Sequence, residues 1–270
     1  MKLAVSNIAW PKEQDAAAAD LLREMGVSGI EVAPTKVWPQ LLDATDADID
    51  DYRRFWNDRG FEVVAAQSLL FGRPDLTLFD SVEVRAKTLD YLRGVVKGCA
   101  RMGAKALVFG SPKNRRLGNG SPHQARKAAV AFFTELAAWA EQCGACVVLE
   151  ANPPQYGADF VTKAAEAIDL VSAVNHPGFR LHLDTACMYL ARDPIKPTLD
   201  AAFPLLRHFH VSDPDLEPPG TAGTIDHRIY AAELTARGYE HWVSLEMREP
   251  KPFIPDALAD AVRKVKGWYG

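Results

Sequence analysis

The chain has 270 residues, 48% of them hydrophobic and 24% charged, which is near the average of soluble globular proteins and excludes a disordered chain. That length is ordinary for one (β/α)8 barrel and also admits two small domains. A net charge of -4 excludes a general polyanion binder, which needs surplus Lys and Arg to release counterions from phosphates, so no nucleic acid is expected as a partner.

Short apolar, β-prone segments alternate with longer stretches of helical period, the pattern of βα units around a parallel sheet. In chain order the predicted strands are 3–6, 29–32, 62–66, 106–109, 146–149, 180–183, 209–211 and 242–245. Predicted helices fall at 16–25, 48–59, 81–102, 124–143, 160–174 and 231–236, with 254–265 closing the series. Gly26, Gly60, Gly103, Gly144 and Gly238 stand where helix C-caps are expected. No Pro/Gly/Ser-rich linker divides the chain. The pattern therefore predicts an α/β fold, a (β/α)8 TIM barrel, as a single domain over residues 1–270. A doubly wound sheet would look similar, but Ser6-Asn7-Ile8-Ala9-Trp10-Pro11 follows the first strand where a dinucleotide fold would carry GxGxxG.

The four cysteines are Cys99, Cys143, Cys146 and Cys187, and only Cys143-Gly-Ala-Cys146 has CxxC spacing. A structural zinc site would want a second such pair, so small buried residues at a helix-to-strand turn are expected instead. The start, MKLAVSNIAWPKEQ, has no charged leader before an apolar core, and no apolar run reaches membrane-spanning length. The expectation is a cytoplasmic protein in a reducing compartment, without a membrane partner.

Four of the last strands end in a metal-capable side chain: Glu150, Asp184, His210 and Glu246. Side chains alternate across a strand, so Val147 and Leu149 oppose Glu150, Leu181 and Leu183 oppose Asp184, Phe209 and Val211 oppose His210, and Val243 and Leu245 oppose Glu246. If the apolar residues pack on outer helices, the four polar ones point into the barrel mouth together. Three carboxylates there would repel one another unless a cation neutralised them. Mostly oxygen donors with one imidazole suit one divalent metal ion, Mn2+ or Mg2+ first, with Co2+ or Zn2+ next.

With LEANPPQYGADF, LHLDTACM, HFHVSDPD, WVSLEM and FGSPKNR, nearly the whole chain resembles the xylose-isomerase-like barrels. Within them it resembles the sugar phosphate isomerase/epimerase group that includes ketohexose 3-epimerases and hydroxypyruvate isomerases. The resemblance implies that Glu150, Asp184, His210 and Glu246 bind the metal and that Glu150 and Glu246 are also the catalytic acid/base pair. The chain departs from the ketohexose epimerases at Cys187, where they carry histidine, and at Tyr156, where they carry glutamate.

The implied function is a metal-dependent sugar isomerase or epimerase of carbohydrate metabolism, acting on a sugar or sugar-phosphate-like small molecule through an enediolate. Substrate contacts are expected from Trp10, Gln67, Lys113, Arg115, Cys187 and Arg248, with Glu31 near the same strand ends. Lys113 and Arg115 lie in a basic loop suited to a phosphate or carboxylate, and equally to solvent. Asp226 reads at least as well as a helix N-cap. An inosose-type dehydratase is the nearest alternative. An apurinic endonuclease-like hydrolase would want extra histidines where Gln67, Ser111 and Cys187 stand. Self-association into a homo-oligomer is left open.

Overall fold

Alternation along each strand sends one row of side chains outward to the helices and the other into the lumen. In the computed structural model, which describes residues 1–221 and 223–270, parallel strands pair in chain order and close into a barrel. They are β1 (Lys2–Ser6), β2 (Gly29–Val32), β3 (Glu62–Ala66), β4 (Ala106–Phe109), β5 (Cys146–Glu150), β6 (Phe179–Asp184), β7 (Leu206–Val211) and β8 (Trp242–Leu245). Closure runs through Leu3 opposite Val243 and Val5 opposite Leu245. The register slips once between β2 and β3 and once between β6 and β7.

The α-helices are α1 (Asp15–Glu24), α2 (Pro34–Val37), α3 (Asp46–Asn57), α4 (Val82–Met102), α5 (Pro122–Gln142), α6 (Ala164–Val174), α7 (Thr185–Ala191), α8 (Ile195–Ala202), α9 (His227–Ala236) and α10 (Pro255–Tyr269). Their starts follow local chemistry. Thr45 and Asp48 form a reciprocal capping box on α3, and Ser81 caps α4. Asp226 caps α9, so that helix begins at His227, ahead of the expected 231. The five glycines predicted as C-caps all have positive φ, and Gly103 ends α4 at φ 114, a conformation closed to most side chains.

Residues 160–163 are loop where helix was expected. Val161 sits at φ 57 and its carbonyl accepts from the Asn152 amide, so its backbone is committed to the barrel mouth. The outward rows, such as Phe179, Leu181 and Leu183 on β6, join the helices in one large core. Each fully buried Leu or Val there contributes about 1.5–3 kcal/mol. A second apolar cluster, Ala4, Val64, Ala65, Ala106, Val108, Cys146 and Val148, fills part of the lumen. The cysteines are all free, with Cys143 capping α5 and Cys146 opening β5. No helix among the described residues is long and apolar enough to cross a membrane.

Candidate metal centre at the barrel mouth

Glu150 is the last residue of β5 and Asp184 the last of β6, while His210 lies one residue before the end of β7. Register brings them together: Asp184 stands opposite His210 and Glu150 opposite His182. Glu150, Asp184 and His210 each place one ligand atom within 4.8 Å of the others. Glu246, just past β8, puts Oε2 3.2 Å from His210 Nδ1.

Each carboxylate is oriented by neighbours. Asn152 Nδ2 donates to Glu150 Oε2 at 2.6 Å, and Arg115, only 1% exposed, donates to Asn152 Oδ1 at 2.7 Å and to the Glu150 carbonyl at 2.8 Å. Asp184 caps α7 by accepting from the Cys187 amide at 2.7 Å, and Ser212 Oγ donates to its other oxygen. Gln67 Nε2 donates to Glu246 Oε1 at 2.9 Å. Gly110, just after β4, leaves the space that the Glu150 carboxylate uses: a Cβ there would overlap Glu150 Oε2.

Burial, reinforced by the Glu150 and Glu246 charges, pushes the Asp184 carboxyl up to about 7. Burial also raises Glu150, against the opposing pull of His210, Asn152 and Arg115. For His210, burial alone would favour the neutral ring, but the Glu31 and Glu246 carboxylates prevail and hold the imidazolium well above the usual histidine range. The mouth thus holds buried acids displaced toward their neutral form beside a histidine held in its charged form.

Below these groups lies a second polar layer. Glu31 is fully buried, with Oε2 3.2 Å from His208 Nε2 and 2.9 Å from His210 Nε2. His182 is fully buried with Nε2 3.5 Å from Glu150 Oε1. Burial, with the His210 and His208 charges, drives His182 well below the usual histidine range.

The mouth opens into a pocket of about 540 Å³ whose lining includes Glu150, Asp184, Glu246, Cys187, Tyr156 and Arg248. Of the expected substrate contacts, Cys187 and Arg248 therefore face it. Arg248 is ion-paired with Glu217 on the neighbouring loop, and the Tyr156 hydroxyl accepts from the Asp215 amide. The other four lie outside its lining. Trp10 is fully buried away from the pocket, edge-on to Trp56, because its indole N–H is claimed by Asp15 at the start of α1. Arg115 is buried, and its two Nη atoms donate to the Glu150 and Val161 carbonyls and the Asn152 side chain instead of reaching into the pocket. Gln67 is buried behind Glu246, which it holds. Lys113 is exposed and lines a neighbouring hollow with Phe71 and Arg73. Glu31 likewise lies beneath the pocket instead of lining it.

Sequence reasoning missed Asn152, Ser212 and His208. Parity could have found His208, which shares a face with His210. Nothing local marks Asn152, whose role depends on an arginine 37 residues earlier.

Residues 19–268 match the family model of xylose isomerase-like TIM barrels. Among solved structures, the chain is similar to 3-keto-D-glucoside 4-epimerase from E. coli, with TM-score 0.80 and 22% identity, covering 99% of each chain. It is similar to D-psicose 3-epimerase from Clostridium cellulolyticum H10, with TM-score 0.83 and 17% identity over 100% of this chain and 99% of that one. A zinc-bound IolI protein superposes with TM-score 0.75 and 20% identity over 98% of this chain and 96% of that one. A comparison with curated protein sequences finds no match.

Proposed function

Because the chain belongs to the xylose isomerase-like TIM barrel family, we propose that it is a divalent-metal-dependent isomerase or epimerase of a sugar or sugar-like ketose. Glu150, Asp184, His210 and Glu246 are the ligands, and Glu150 and Glu246 the acid/base pair. The observation that carries this reading is the convergence of three carboxylates and one imidazole at the C-terminal mouth, where barrel enzymes place their chemistry. The epimerases among the similar structures favour a ketose substrate.

The residues fit a divalent ion. Burial first, and for Asp184 the Glu150 and Glu246 charges after it, raises Asp184 to about 7 and raises Glu150, and a 2+ charge among these carboxylates would favour their ionised forms. Three hard carboxylates with one borderline imidazole suit Mn2+ or Mg2+, and the zinc in the similar IolI structure keeps Zn2+ in view beside Co2+. When bound, the ion supplies Lewis-acid stabilisation of negative charge developing on a substrate oxygen.

The chain's own residues do the rest. Glu150 and Glu246 approach from β5 and β8, separated around the rim by β6 and β7. One takes the proton α to the carbonyl, giving an enediolate, and the other returns a proton on the opposite face or at the adjacent carbon. Asn152 and Gln67 each bind one oxygen of a glutamate, so that each carboxylate keeps a defined orientation through the transfer. Cys187, Tyr156 and Arg248 would contact the remainder of the substrate.

The test is deuterium exchange at substrate carbon in D2O, with the metal-loaded protein and a panel of ketoses, aldoses and their phosphates. Wild type should exchange. Glu150→Gln and Glu246→Gln, compared at equal metal occupancy, should each lose roughly 10²- to 10⁴-fold in exchange rate. A variant with full occupancy and near-normal exchange would remove that glutamate from the mechanism.

A further inference from the structure

We infer that Glu31 is a positioning residue: from beneath the centre it fixes the His210 ring through Nε2 and so commits Nδ1 to the metal. The inference rests on the ligand set proposed above.

Glu31 faces the lumen because Ile30 and Val32, on either side of it, belong to the outer core. From β2 it reaches past β1 and β8 to β7. The intervening strands make room with the short side chains of Ala4 and Ser244. The carboxylate is fully buried, and a buried charge persists only where partners replace its lost water. Its partners are two imidazoles. His210 Nε2 lies 3.0 and 2.9 Å from the two Glu31 oxygens, and His208 Nε2 lies 3.2 Å from Oε2. Nothing in packing calls for an acid here, since Val64, Val108 and Val148 fill the other side of the same lumen with aliphatic carbon.

The two nitrogens of His210 then have separate duties. Nε2 is held from below. Nδ1 faces the mouth, 3.2 Å from Glu246 Oε2. A carboxylate accepting the distal N–H of a metal-bound histidine fixes its tautomer and ring angle and makes it a better donor. His208 holds the same carboxylate from a second direction, so Glu31 cannot swing away without leaving an imidazole nitrogen unpaired in the lumen.

Glu31→Gln preserves volume and removes the charge. Calorimetry with Mn2+ should give a dissociation constant about 10- to 100-fold weaker than wild type, with one ion per chain in both. The visible spectrum of the Co2+ form should shift, a change that mere loosening of the core would not produce. His208→Gln leaves the Glu31–His210 contact in place and should weaken binding less. Should Glu31→Gln not fold, 15N spectra of the histidines in the Zn2+-loaded wild type decide: a proton on His210 Nε2 with coordination through Nδ1 supports the inference, and the reverse overturns it. An unchanged dissociation constant and Co2+ spectrum in Glu31→Gln would overturn it while leaving the metal reading intact. So would two ions per chain in wild type with one lost in the variant, since Glu31 would then be a ligand. A wild-type chain that takes up no ion overturns both.

Discussion

Two sides of the barrel's interior are both buried and built from opposite chemistry. Toward β3, β4 and β5 the lumen holds Val64, Ala65, Ala106, Val108, Cys146 and Val148. Toward β6, β7 and β8, with Glu31 reaching over from β2, it holds His182, His208, His210 and Ser244, all at most 1% exposed. The first side stabilises the fold by removing aliphatic surface from water. The second can only offset the desolvation of its own groups, and it does so incompletely: both ring nitrogens of His182 and the Ser244 hydroxyl find no hydrogen-bond partner. The difference teaches that the barrel carries its polar machinery as a local cost, set against an apolar half that needs no pairing at all.

The comparison is sharpened most by Asp184→Asn. Asparagine keeps the cap on α7 but removes one of three converging charges, so metal affinity should fall by more than about a hundredfold in calorimetry. The metal-free melting temperature should rise, by about 1–3 °C for a chain of this size. The sign follows from the raised Asp184: its folded form resists ionisation, so wild type loses stability as pH climbs from the usual 3.8 through about 7. The Asn advantage should therefore be absent below that lower value, grow through the window and level off above it. A metal-free Asn variant that melts lower at neutral pH would break the view of this side as a cost.

Arg115→Met comes next. It leaves the Glu150 carbonyl and the Asn152 amide oxygen without the guanidinium, while the Val161 carbonyl keeps the Asn152 amide, and should cost roughly 2–3 kcal/mol in urea unfolding. Exchange should slow as Glu150 loses its orientation, with KM little changed, because the guanidinium never meets substrate. A rise in KM alone would restore it as a substrate contact. Smallest at the site is Val108→Ala on the apolar side. It should lose roughly 1–2 kcal/mol of stability and leave the metal dissociation constant within about twofold. A large loss of affinity there would show the two sides to be coupled.

How much of this was written in the sequence depends on range. Strands β2, β3, β4 and β8 were legible to the residue, since alternation between glycine and proline punctuation is a local signal. Helices α7 and α8 were not, because seven or eight residues between a ligand strand and the next leave too few turns for a helical period to declare itself. The convergence of Glu150, Asp184, His210 and Glu246 at one rim was legible because parity is also local. Trp10 and Arg115 were misplaced for one shared reason: each looked like a loop side chain free to face substrate, and each is claimed by a partner elsewhere, Asp15 for the indole and the β5 loop for the guanidinium. The role of Glu31 depends on a histidine 179 residues away and could appear only once the barrel had closed.

Gly110 imposes a rule of inheritance on the barrel. Its φ is not in the left-handed region, so what stands against a side chain at the end of β4 is the Glu150 carboxylate, with Asn152 Oδ1 3.3 Å from where a Cβ would lie. On the ligand set proposed above, an alanine there would keep every strand and helix yet displace the Glu150 carboxylate, which purified Gly110→Ala should show as a normal far-UV spectrum with impaired metal uptake. The fold would survive such a change and the proposed centre would not, so this one strand end carries a demand that belongs to the site and not to the scaffold.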